Sequence, residues 1–135
     1  MNVDILKQTL KEHKEWVKDN SKGKRANLGK VDLKRTDLSG VDLSGADLRG
    51  ADFRLADFME ADLRGADFRG ADLCRANLRK ANLGRANFSG AYLIEVDLMG
   101  ADLREVDLRG ANLYDTKFFP VSLQVLKLTH TKKIW

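Results

Sequence analysis

The chain has one cysteine, one proline and two histidines in 135 residues. Cys74 stands alone, so no intrachain disulfide can form. That usage suits a reducing compartment, and the cytoplasm is the expected location. No apolar run is long enough to span a bilayer, and residues 1–25 hold no apolar signal core, so neither membrane insertion nor a leader is expected. His13 and His130 are the only histidines, which leaves no Cys/His metal spacing. No Gly-rich phosphate loop opens a helix, and no Ser–His–Asp set is recognisable. Cys74 has no neighbouring histidine to activate it. The reading is therefore a non-enzyme with no cofactor, no metal and no small-molecule substrate.

Charge is plentiful but locally balanced. The net charge is +4, with residues 1–25 at +3, residues 26–128 at −1 and residues 129–135 at +2. The basic character belongs to the two ends.

Between those ends runs a fixed period. Nineteen consecutive pentads extend from Ala26 to Pro120, among them ANLGK, VDLKR, TDLSG, VDLSG, ADLRG and ADFRL. With the central residue called i, position i is always Leu or Phe, and i−2 is Ala, Val or Thr. Position i−1 is Asp or Asn except at Tyr92 and Lys117. A period of five fits neither a helix nor a long strand. The apolar pair at i−2 and i points to one side of a short extended stretch, and the Asp or Asn between them points outward. Positions i+1 and i+2 must then turn the chain, and Gly is frequent at i+2 (Gly40, Gly45, Gly50, Gly65, Gly70, Gly90, Gly100, Gly110). Repeated turns of one sense make coils, and stacked coils bury a core that no single pentad buries alone.

These pentads resemble the pentapeptide repeat family, whose motif is commonly written A(D/N)LXX. The resemblance implies an all-β solenoid, a right-handed quadrilateral β-helix with four pentads per coil and about five coils. The four sides and the hand come from the resemblance; the period itself gives only coils and an inward pair. The expected organisation is a helical cap and linker over 1–25, the β-helix over 26–128 and a tail over 129–135.

The cap is read from residues 3–19, which lack Gly and Pro. Leu6, Leu10, His13 and Val17 share one helical face, broadened by Ile5, Thr9 and Trp16. Asn2 is the N-cap and Asp4 lies in the first turn. An open solenoid exposes its core and a strand edge, so Leu6, Leu10 and Trp16 are expected to pack on the first coil. His13 is read as a partly buried cap residue near Trp16.

Four pentads per coil also sort the outward positions onto four sides. Sides one and four carry Arg49, Arg69 and Arg109, and Arg64 and Arg104, beside columns of Asp or Asn. Every outward apolar residue before Pro120 falls on the other two: Leu55, Cys74, Tyr92, Ile94 and Tyr114 on side two, Met59, Met99 and Phe119 on side three. This points to a contact surface made of Leu55, Met59, Tyr92, Ile94, Met99, Tyr114 and Phe119. Trp135, with Leu123, Leu126, Leu128 and Ile134, suggests a second surface at the C-terminal end, through which two copies could pair.

The functional expectation is a non-catalytic scaffold that binds a protein partner, a second copy included. Two alternatives stand beside it. The resemblance includes proteins that mimic duplex DNA and bind DNA gyrase or topoisomerase IV. A near-neutral solenoid lacks the negative field such mimicry needs. Nucleic-acid binding through the basic ends, Lys18–Arg25 and Lys132–Lys133, is disfavoured against simple solubilising charge near the chain ends, and phosphate tracking by the Arg columns is disfavoured because they run beside acidic ones.

Overall fold

The computed structural model describes residues 1–118. The expectations for Phe119, His130, the Lys132–Lys133 end, Trp135 and the tail lie outside the described residues.

Helix α1 spans Val3–Lys18. Asn2 caps it, its side-chain oxygen accepting the Asp4 N–H at 2.7 Å. The helix stops one residue before the sequence pattern does, because Asp19 is extended (φ −153°, ψ 104°). Its carboxylate instead accepts from the Ser21 N–H at 3.1 Å and hydroxyl at 2.7 Å, a local turn that competes with another helical residue. The chain then folds back through Gly23 (φ +63°), and the Lys24 N–H donates to the Glu12 carbonyl at 3.2 Å.

From Ala26 onward the chain forms parallel bridges between residues twenty apart. One column joins Asn27, Asp47, Asp67, Asn87 and Asp107; the next joins Asp32, Asp52, Asp72, Tyr92 and Asn112. A register of twenty with a period of five gives four sides, so the solenoid is quadrilateral.

The pentad pattern has a complete hydrogen-bond explanation, visible in residues 51–55. The Ala51 N–H closes a turn on the Leu48 carbonyl at 3.3 Å. The Asp52 N–H reaches the coil before, at Val31, at 3.0 Å. Those of Phe53 and Leu55 reach the coil after, at Asp72 (2.7 Å) and Cys74 (3.1 Å). The fifth, Arg54 N–H, has no backbone partner; it donates to the Asp52 side chain at 3.2 Å. Asp or Asn at i−1 is thus the acceptor for the one amide the stacked coils leave over.

Every described i+2 corner adopts positive φ, including non-glycine residues such as Lys30, Leu55, Glu60 and Asp115. The corner is left-handed whatever residue fills it, which explains the frequency of glycine there.

The interior fills with the Leu and Phe of position i and the Ala of i−2. Phe53, Phe58 and Phe68 meet edge to face, and Phe68 stacks flat on Phe88 one coil later, with ring centroids 4.5 Å apart. Burial loosens toward the ends, where Val31, Val41, Ala101 and Phe118 are only partly covered. At the N-terminal end α1 does the covering: Leu6 belongs to the core, and Leu10 packs against it. The i−1 residues are less exposed than an outward-pointing position suggests. Asp47 is only 7% exposed, because the arginine two residues on lies over it.

Candidate functional site

Side two is set by the columns Lys34–Arg54–Cys74–Ile94–Tyr114 at i+1 and Arg35–Leu55–Arg75–Glu95–Asp115 at i+2, because residues twenty apart stack. Leu55, Cys74 and Ile94 line one shallow groove, rimmed by Arg54 and Arg75. Leu55, Tyr92 and Tyr114 are exposed (44%, 49% and 51%), while Ile94 and Cys74 are half-buried. Tyr92 stands where the Asp column would continue between Asp72 and Asn112. Lys34 and Arg35 also line the rim, and three of its four cations are ion-paired: Lys34 with Asp32 at 3.3 Å, Arg54 with Asp52 at 2.6 Å and Arg75 with Glu95 at 2.8 Å. The groove floor is therefore apolar and its rim largely neutralised.

On side three, half-buried Met59 and Met99 occupy the i+1 column two coils apart. Arg79 stands between them and reaches Asp97 at 3.1 Å. The surface expected from sequence spans two sides: Leu55, Cys74, Tyr92, Ile94 and Tyr114 lie on side two, and Met59 and Met99 lie on side three with Arg79 between them.

Cys74 is a poor nucleophile in this setting. Burial, reinforced by the hydrogen bond and negative charge of Asp72, pushes its thiol up to about 11. Among the described residues, no three of His, Cys, Asp and Glu cluster closely enough to hold a metal, and no helix is long and apolar enough to cross a membrane.

Five pentads of sides one and four carry an Arg–Asp ion pair of their own. Arg49 meets Asp47 at two points, Nε to Oδ1 at 2.9 Å and Nη2 to Oδ2 at 2.7 Å. Arg64–Asp62, Arg69–Asp67, Arg104–Asp102 and Arg109–Asp107 repeat the arrangement. The Arg49 side chain holds the Asp47 carboxyl down to about 2, and the same cause lowers Asp62, Asp67 and Asp102. Charge also crosses coils, as from Arg49 to Asp67 at 3.9 Å. Gly84 and Asn82 leave a hollow between Arg64 and Arg104, but both arginines are already committed to their own aspartates.

At the capped end His13 is fully buried and stacked on Trp16, with ring centroids 5.4 Å apart. Trp16 itself is half-buried, over the Gly45 corner of the first coil. The most deeply buried ring of the cap is therefore the histidine. Both its nitrogens bond the solenoid side of the interface, at the Ala26 N–H and the Ser44 carbonyl. Apolar patterning placed His13 on the right helical face; nothing in the sequence marked those two backbone partners.

The profile of the pentapeptide repeat family matches residues 24–54, 56–93 and 81–118, in eight copies. The chain is a pentapeptide repeat protein. No curated protein matches its sequence. Solved structures do. HetL from the cyanobacterium Nostoc sp. strain PCC 7120, involved in regulation of heterocyst differentiation, is 37% identical over 75% of this chain (TM-score 0.48). This pentapeptide repeat protein spans 46% of HetL, under half its length. The Nostoc protein alr5209 is 28% identical over 90% of this chain and 93% of its own (TM-score 0.48). QnrB1, a plasmid-mediated fluoroquinolone resistance protein, is 21% identical over 84% of this chain and 69% of its own (TM-score 0.50), a likeness of fold.

Proposed function

We propose that this pentapeptide repeat protein is a rigid, non-catalytic interaction module that presents side two to a protein partner. Membership of the family also supports a right-handed winding of its coils. The observation that carries the functional reading is the placement of Leu55, Tyr92, Ile94 and Tyr114 on one side of a framework whose other outward positions are mostly polar or ion-paired. An apolar stripe with a neutralised rim suits burial against another protein better than contact with a polyanion. The fixed lattice beneath it lets a partner bind without ordering the surface first.

Affinity capture from source-cell lysate tests this. The triple variant Tyr92→Asn, Ile94→Arg, Tyr114→Ser uses residue types that the repeat already carries at those positions. It should fold normally and lose the bound protein, whereas Arg64→Ser on side four should retain it. Equal capture by the triple variant and the wild type contradicts the reading.

The family resemblance leaves a second reading, DNA mimicry toward a topoisomerase. Sides one and four argue against it, because Asp47, Asp62, Asp67, Asp102 and Asp107 there sit under arginines, and the two sides project no continuous phosphate-like field. The protein should not inhibit gyrase supercoiling at stoichiometric concentration; potent inhibition would favour mimicry.

A further inference from the structure

We propose that His13 is a proton-operated latch that holds α1 over the first coil. Nδ1 accepts the Ala26 N–H at 2.9 Å, so Nδ1 carries no proton. Nε2 lies 2.9 Å from the Ser44 carbonyl oxygen, which only accepts, so Nε2 carries the proton. The two backbone groups hold the ring in one neutral tautomer. A second proton has one place to go, Nδ1, where it meets the Ala26 amide proton and ends that bond.

The surroundings add to the penalty. The ring is fully buried, and Trp16 stacks on it. Burial penalises imidazolium and pushes His13 below its ordinary value; the Ser44 bond opposes this in part. Two charged groups act on the ring from the elements packed against it. Asp42 of the first coil favours the proton, and Arg25 of the linker opposes it. On α1, the neighbouring Glu12 is engaged with the Gln8 side chain at 3.1 Å.

Undocking returns His13 to water and to its ordinary pKa. Below about pH 6.5 the undocked state then binds more protons than the docked one. Opening becomes more favourable by about tenfold per pH unit until the docked pKa is reached, and it is independent of pH above that window. Asp47, Asp62, Asp67 and Asp102 of the solenoid act in a separate range, because their pKa values are lowered and they titrate only in stronger acid. Opening withdraws Leu6 from the core and uncovers the strand edge of the first coil. Availability of that end is thereby coupled to protonation of one side chain, whatever side two binds.

Amide hydrogen exchange of the full chain from about pH 7.5 to about pH 5, corrected for intrinsic exchange, tests the latch. The Ala26 amide should lose protection about tenfold per pH unit below about pH 6.5. The Leu63 and Leu83 amides, bonded within the stack, should not change. In His13→Gln, whose amide offers an acceptor and a donor without titrating, the Ala26 dependence should flatten. Unchanged Ala26 protection in the wild type overturns the proposal. So does loss of protection at Leu63 and Leu83 in step with Ala26, which reports global unfolding. The wild-type titration stands on its own if the variant does not fold.

Discussion

Asp47 and Arg49 are bonded three times within one pentad: the Asp47 carboxylate accepts the Arg49 amide at 3.2 Å, its Nε at 2.9 Å and its Nη2 at 2.7 Å. The backbone bond completes the amide accounting of the coil, and the other two neutralise the charge. Asparagine can make the first bond but not the ion pair, and alanine can make neither. Asp47→Asn should cost less than about 1 kcal/mol. Asp47→Ala should cost about 1–3 kcal/mol, because the Arg49 amide loses its acceptor. Urea unfolding of both variants checks this, and equal losses would contradict the division of labour.

The same pairs set the acid limit of the solenoid. The folded pKa of Asp47 lies below its ordinary 3.8, at about 2. A depressed carboxyl contributes stability that is fully present above the unfolded pKa and is lost as pH falls through the folded one. Unfolding of the stack should therefore set in below about pH 3.8 and deepen toward about pH 2. Chemical denaturation at stepped pH checks it, with Asp47→Asn showing a shallower fall than the wild type.

Glycine has different weight at Gly23 and Gly40. Both have positive φ, but a Cβ at Gly40 would meet nothing within 4 Å. A Cβ at Gly23 would lie 2.1 Å from the Glu12 carbonyl oxygen and 2.9 Å from the Trp16 amide nitrogen. Gly40→Ala should cost about 1 kcal/mol from backbone strain alone. Gly23→Ala should cost distinctly more and release the linker from α1. Thermal melts of the two variants make the comparison, and similar melting temperatures would contradict it.

Cys74 should be sluggish toward alkylation. A thiol pushed up to about 11 from 9.0 has about a hundredfold less thiolate at mildly alkaline pH than an ordinary cysteine. Iodoacetamide labelling of the folded chain should be slow and should accelerate on unfolding. Rapid labelling of the native protein would reopen a chemical role for this residue.

Much of the fold was legible because the repeat reports it many times. Leu28 through Leu113 at position i are buried as the apolar spacing implies, and the glycine corners turn with positive φ. Other features left weaker traces. Leu55, Glu60 and Asp115 take the same left-handed corner without being glycine, since neighbouring coils impose it on any side chain. The task of Asp52 appears only when the amides of Arg54 and its neighbours are traced through three coils. Sequence placed Met59 and Met99 on side three; register alone could not show that Arg79 between them bonds to Asp97. His13 was recognisable as a face residue of α1, but its bonds to Ala26 and Ser44 depend on how the helix seats on the coil.

The most direct test of the interaction account is site-specific photo-crosslinking in source cells. A photoreactive side chain would replace Ile94 on side two or Arg104 on side four, one position at a time. The account predicts a discrete adduct of higher mass from position 94 and none from position 104. An adduct from position 104 alone, or no adduct from position 94, would contradict it.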